Sequence, residues 1–199
     1  MIFKKLKINN ILLNNRVAVG PMCQYSAING RPSLWHFSHL QKLSQLGAGV
    51  LILESTFPSK NTTISKNDLI LSNNSEKKSF TGLIKYIRKF SDIPLGIQIC
   101  HAGRKGSSHI PWKKFNSPLG KQEGGWATHA PSSIKRDKSW PIPIKLNLKK
   151  IYKIRKDFVN SAQLANQSGF DLLEVHMAHG YLLHQFFSPI SNKRTDEYG

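Results

Sequence analysis

Four apolar segments that show no polar alternation limit what this chain can fold into. They are Arg16-Val-Ala-Val-Gly-Pro-Met22, Gly49-Val-Leu-Ile-Leu-Glu54, Pro94-Leu-Gly-Ile-Gln-Ile-Cys100 and Phe170-Asp-Leu-Leu-Glu-Val-His176. A strand with one wet face alternates apolar and polar residues, whereas a strand of a parallel sheet covered on both faces reads as a continuous apolar run. Between these segments apolar residues recur at helical spacing: Phe37, Leu40, Leu43 and Leu46; Phe80, Leu83, Ile84, Ile87 and Phe90; Ile151, Ile154, Phe158, Ala162 and Ala165. The resulting order, βαβαβαβ, predicts a parallel α/β architecture, either an open doubly wound sheet or a closed eight-stranded barrel.

Both architectures place function in the loops that follow the strands. The loop from His101 to about Asn147 is rich in Gly, Pro, Ser and Trp and exceeds ordinary connection lengths, which marks it as functional. A two-stranded element over residues 3–13, turning at Asn9-Asn10, precedes the first strand and is placed to plug one end of a barrel.

The chain has 199 residues, enough for a sizeable core. Its 29 Lys and Arg against 11 Asp and Glu give a formal charge of +18, which raises the question of nucleic acid. The cations are scattered singly and in pairs, without a block of like charge or a zinc-finger or RNA-binding motif, so no specific nucleic-acid partner is expected. No apolar run reaches the ~20 residues of a membrane span, and the first residues do not read as a secretory signal. Cys23 and Cys100 alone make no disulfide framework, and the expected compartment is the cytoplasm.

The chemistry concentrates in Glu174-Val-His-Met-Ala-His-Gly-Tyr-Leu-Leu-His-Gln185, at the end of the fourth strand. A strand-to-helix turn there lets His176, His179 and Tyr181 converge, with imidazole N–H groups to polarise a carbonyl oxygen and a phenol to donate a proton. Two other readings stand beside it. His176 and His179 with His184 or Cys23 would be a metal site, although the spacing matches no familiar zinc pattern. Alternatively, the histidines are satisfied structural residues.

Cys23, after Gly20-Pro21, reads either as a small buried hydrophobe or as a nucleophile needing a base. Gln98 interrupts an apolar run, and its buried amide must bond backbone or face a polar ligand. Neither of the usual nucleotide-binding glycine loops is visible.

Taken together, Asn15-Arg-Val-Ala-Val-Gly-Pro-Met-Cys-Gln-Tyr-Ser26, Gly96-Ile-Gln-Ile-Cys-His-Ala-Gly-Arg-Lys105, Gly124-Gly-Trp-Ala-Thr-His-Ala-Pro-Ser-Ser133, the stretch from Gly169 to Pro189 and Asn192-Lys-Arg-Thr-Asp-Glu-Tyr-Gly199 resemble the Old Yellow Enzyme family. The likeness is to FMN-dependent ene-reductases and NADPH dehydrogenases, in particular the bacterial subgroup with a Cys after the first strand. It implies a TIM (β/α)8 barrel with FMN at the C-terminal ends of its strands. It also implies NADPH as reductant, with NADH as the alternative, and an activated alkene as substrate.

Carried onto this chain, the backbone of Pro21, Met22 and Cys23 would lie against the flavin, with Cys23 tuning its potential. Ser55, closing the second strand, and Gln98 would touch the flavin's polar rim. His176 and His179 would bind the substrate oxygen, and Tyr181 would deliver the proton. Tyr25 and His101 would line the pocket.

The family's barrel has eight strands and takes about 250 residues, and this chain supplies four βα units. Residues 1–199 are therefore expected to be the N-terminal part of a single FMN-binding barrel domain, a truncated or split form. Two strand edges, at the first and fourth strands, would be left open. Those edges invite self-association or a complementing C-terminal half. The competing expectations are a non-enzymatic half-barrel remnant and a basic nucleic-acid-associated protein.

Overall fold

Local capping sets the helix boundaries. In the computed structural model, which describes residues 1–199, helix α1 (Leu34–Ser44) begins where Ser33 N donates to Nδ1 of His36 at 3.0 Å. Helix α2 (Asn74–Ile87) is capped by Asn73, whose side chain accepts from Ser75 N and Glu76 N. Helix α3 (Leu148–Ser168) is capped by Asn147, which accepts from Lys150 N, and it ends at Gly169 with φ 102. A side-chain acceptor satisfies N–H groups that the helix itself leaves open, and the left-handed residue that stops α3 suits glycine. A short fourth helix, α4, spans Leu182–Phe187.

Strands β1 (Leu6–Ile8) and β2 (Ile11–Leu13) form the expected antiparallel element, with Asn9 at φ 49 in its turn. The main sheet contains β3 (Ala18–Val19), β4 (Val50–Phe57), β6 (Leu95–Ile99) and β9 (Leu172–Val175), all parallel and in that order. Strand β5 (Leu69–Ile70) pairs with the end of β4. A doubly wound sheet reverses its strand order at a switch point. Here spatial order follows chain order without reversal, as in an arc of a barrel.

Strand β3 is shorter than the apolar run that encodes it, because Gly20-Pro21 leaves the ladder and Pro21 brings no N–H to it. Strand β4 is longer and carries Ser55 inside it rather than at its end. Leu46 and Phe90, assigned by periodicity to helices, fall beyond the ends of α1 and α2 and remain exposed. Inside the long loop, β7 (His129–Ala130) and β8 (Ile144–Lys145) pair in parallel as a separate ladder.

The helices cover one face of the sheet. Leu51, Leu53, Leu95, Ile97 and Ile99 pack there against Leu40, Phe80, Leu83, Ile84, Ile87, Leu164 and Phe170 in one core of 17 buried residues. One edge of the sheet is β9, as anticipated, and the other is β3, with β5 beyond it along the same side of β4. On β9, Leu173 and Val175 alternate with half-buried Leu172 and Glu174 and stay exposed. No helix of the chain is long and apolar enough to cross a membrane.

Candidate active site

Side chains alternate across a strand, so the residues between those of the helix-facing core point to the other face. One such row runs through Ser55, Gln98 and Glu174, which are direct neighbours in the parallel register. Ser55 Oγ donates to Gln98 Oε1, and Gln98 Nε2 donates to Glu174 Oε1 at 2.6 Å. The buried amide of Gln98 therefore finds side-chain partners on both adjoining strands and does not bond the backbone. Its second amide hydrogen is left for another acceptor.

The register of β4 slips between Leu53 and Ser55, which makes Glu54 the extra residue of a bulge. Its carboxylate is turned out of the ladder to meet two N–H groups. Oε1 lies 2.8 Å from Nε2 of buried His36, and Oε2 accepts from Gln24 N. Because Ser33 N donates to His36 Nδ1, the ring proton sits on Nε2 and points at Glu54. This brace ties α1, β4 and the loop after β3 together. Nothing in the spacing of His36 and Glu54 announces it, since the bulge that turns Glu54 outward is not visible in sequence.

Beyond that brace, Pro21, Met22 and Cys23 run outside any ladder, and the N–H groups of Met22 and Cys23 have no partner in the chain. Tyr25 is held at φ 49, a left-handed conformation uncommon for a large side chain. Its ring meets Trp112 edge-on at 5.7 Å. Cys23, Tyr25 and Tyr181 pack together on a small core of Phe57, Ile64, Cys100 and Ala102. Burial pushes the Cys23 thiol up to about 12, and the carboxylates of Asp68 and Glu54 add to the effect. Burial also raises Tyr25 and Tyr181, so both phenols keep their protons at neutral pH.

At the end of β9 the chain turns through His179 (φ 55) and Gly180 (φ 70). Gly180 N donates to Nδ1 of His184 at 2.7 Å, Gln185 Nε2 to Gly180 O at 2.8 Å and Lys105 Nζ to His179 O at 2.5 Å. His184 is thus committed to bracing the turn. The turn brings the expected three together. The Tyr181 ring stands perpendicular to that of His176 at 4.8 Å, and His176 Nε2 lies 3.3 Å from His179 Nδ1. Ala178 N donates to His176 Nδ1, which puts the His176 ring proton on Nε2, facing His179. Burial lowers the pKa of His176, so its ring is neutral at pH 7.

Among the expected site residues, Ser55, Gln98, Cys23, Tyr25, His176, His179 and Tyr181 all lie around the C-terminal ends of β3, β4, β6 and β9. His101 is the exception. It is buried, its Nδ1 accepts from Gly103 N at 3.0 Å, and burial pushes it down to about 3, so it supports the loop from within and lines no pocket. Asp68, which the sequence reading passed over, is fully buried nearby. It accepts from Ile64 N and Ser65 N at 2.7 Å each, and burial pushes it up to about 7.

An arc of parallel βα units gathers a polar row, a thiol and a His-His-Tyr group at its C-terminal end, the end at which TIM-type barrels carry their active sites. The chain belongs to the NADH:flavin oxidoreductase / NADH oxidase family, whose model matches residues 1–199. It is 37% identical to an NADH:flavin oxidoreductase of Gibberella zeae, covering all of this chain and 48% of that one. It is 36% identical to an NADPH dehydrogenase of Listeria innocua, covering all of this chain and 54% of that protein.

Among solved structures, an Old Yellow Enzyme from Pichia superimposes with a TM-score of 0.83 at 27% identity, over 100% of this chain and 51% of the other. Morphinone reductase shares the fold, with a TM-score of 0.85 at 23% identity over 53% of its length. The chain spans about half the length of the relatives it matches. The family is one of FMN enzymes that draw on a reduced nicotinamide.

Proposed function

We propose that these residues form part of the active site of an FMN-dependent ene-reductase that reduces the C=C bond of α,β-unsaturated carbonyl or nitro compounds. Residues 1–199 are then the N-terminal part of a single FMN-binding barrel domain. The observation that carries this reading is the convergence of His176, His179 and Tyr181 at one strand end, with ring centroids 4.8 Å and 5.1 Å from His176.

The residues on the open face suit a flat ring system with a polar rim. Pro21, Met22 and Cys23 offer backbone outside any ladder with two free N–H groups, and Gln98 keeps an unused amide hydrogen in a row shared with Ser55. These are the residues that would hold FMN. When bound, FMN supplies the hydride that it has itself received from NADPH, or from NADH as the alternative donor.

The protein's own part is charge and proton handling. His176 and His179 receive the substrate's carbonyl or nitro oxygen, and the ordered tautomer of His176 leaves Nε2 of His179 as the outward donor. As negative charge develops on that oxygen, such donors bind the transition state more tightly than the substrate. Tyr181, protonated because it is buried, gives its proton to the alkene carbon that does not take the hydride. Cys23 stays a thiol beside it and Tyr25 forms a wall with Trp112.

The open edges at β3 and β9 fit a complementing C-terminal half or a second copy, and the proposed compartment is the cytoplasm. Titration of the purified chain with FMN, followed by quenching of flavin fluorescence, tests the reading. Saturation near one flavin per chain, or one per complemented pair, supports it. A chain that takes up no flavin alone or with the remaining strands supplied contradicts it.

A further inference from the structure

Near Tyr181 lies a group of three half-buried cations, Arg104, Lys105 and Arg136, none of them in an ion pair. Lys105 closes the short turn Gly103–Lys105, and its Nζ lies 5.5 Å from the centre of the Tyr181 ring. Arg104 donates from Nη1 to Ile134 O at 3.2 Å and Lys135 O at 3.1 Å, which pins the segment carrying Arg136 against the same loop. Arg136 lies over the Trp140 ring at 4.4 Å and donates to Asn116 Oδ1. None of the chain's five ion pairs involves any of the three. Asp137, next in sequence to Arg136, attracts it from an exposed position without pairing with it, and its carboxylate takes up Ser139 N and Oγ at 2.9 and 2.7 Å.

The cations feel one another. Burial, then Arg136 and Arg104, lower the pKa of Lys105, and burial, then Arg136, lower that of Arg104. Carbonyl dipoles and an aromatic face thus hold the group in place while a single exposed carboxylate, Asp137, offsets part of its charge, in a chain whose other cations are mostly spread over exposed positions. A built, half-buried group of three cations that one exposed carboxylate only partly neutralises favours an anion on whatever enters beside it.

The distance to Tyr181 narrows what that anion can be. Lys105, the member of the group nearest the proposed proton donor, sits within one side chain of it, so the anion belongs to the same small molecule as the reacting alkene. The phosphates of a nicotinamide dinucleotide lie far from its reacting ring.

We propose that Lys105 and Arg136, braced by Arg104, form an anion subsite for a carboxylate carried by the substrate, making the preferred substrate an activated alkene that also bears a carboxylate. The alkene part of this assignment rests on the ene-reductase reading, and the carboxylate part on the three cations alone.

The test is isothermal titration of the full chain at low ionic strength with monomethyl succinate and with dimethyl succinate, which differ by one negative charge and cannot be reduced. The expected result is at least tenfold tighter binding of the monoester. Lys105→Gln and Arg136→Gln should each remove fivefold or more of that preference, and Arg136→Lys should restore part of it. Lys85→Gln with Lys89→Gln, at the far end of α2, should change it less than twofold.

Equal affinity for the two esters, or equal losses in the α2 variant, would overturn the subsite in favour of general attraction to a basic chain. A larger loss of 2′,5′-ADP binding than of monoester binding in Arg136→Gln would overturn the carboxylate in favour of a nucleotide phosphate. A chain that keeps the monoester preference but reduces no alkene even with FMN bound and the remaining strands supplied contradicts the ene-reductase reading and leaves the subsite standing.

Discussion

His36 and Glu54 meet at 2.8 Å inside the protein, with Nε2 of the imidazole donating to a carboxylate whose other oxygen holds Gln24 N. Both side chains are almost wholly buried. An amide in place of that carboxylate offers one acceptor and one donor, so either His36 or Gln24 must face an N–H group. His36 cannot escape by changing tautomer, because Nδ1 already accepts from Ser33 N. Glu54→Gln should therefore lower unfolding stability by roughly 2–4 kcal/mol, measured by urea denaturation. A loss below about 0.5 kcal/mol would show that the brace matters little.

The same carboxylate bears on Cys23. With the thiol pushed up to about 12, almost none of it is thiolate at pH 8, and alkylation by iodoacetamide should run over about a hundredfold slower than for free cysteine. Cys100 is fully buried and should not react while the chain is folded. Removing the Glu54 charge should speed alkylation of Cys23 at pH 8, read by mass spectrometry of the modified peptide. An unchanged rate in Glu54→Gln would remove Glu54 from the causes.

Asp68 gives stability a pH dependence of unusual sign. Its folded pKa of about 7 lies above the value of 3.8 expected unfolded, so between those limits the native state holds the extra proton. The protonated carboxyl favours folding fully below about pH 4, and that contribution is lost as pH rises through 7. Buried His101, pushed down to about 3, works in the opposite direction as pH rises towards 6.5, so the wild-type profile alone will not separate them. The difference between wild type and Asp68→Asn isolates the first. The stability of Asp68→Asn relative to wild type should improve between pH 5 and pH 8, by on the order of 1 kcal/mol or more. A difference that stays constant with pH would contradict a raised Asp68.

Much of the fold was legible because it rests on periodicity. The four apolar runs are four of the five strands of the main sheet, only the two-residue β5 having gone unread, and Leu83, Ile84 and Ile87 face the core as their spacing requires. The sequential strand order, which decides between an open sheet and a barrel arc, depends on how the crossovers pack and has no local signature.

At the site, His176, His179 and Tyr181 could be placed together because three residues on one tight turn cannot lie far apart. Gln98 was recognisable as a buried amide, but its partners Ser55 and Glu174 come from registers that a sequence does not print. Glu54 was hidden by a one-residue bulge. His101 misled for the converse reason, since a histidine at a strand end looks like a pocket residue until its ring is found turned inward onto Gly103 N.

Tyr181 offers the most direct measurement. With FMN bound, stopped-flow absorbance separates reduction of the flavin by NADPH from its reoxidation by 2-cyclohexenone, and the comparison is between wild type and Tyr181→Phe. The phenylalanine keeps the ring that packs on His176 and loses only the proton. Flavin reduction should stay within about twofold of wild type, while reoxidation by the alkene should slow by on the order of 10²-fold. Equal losses in both steps, or none in the second, would contradict the assignment of Tyr181 as the proton donor and with it the proposed chemistry of the site.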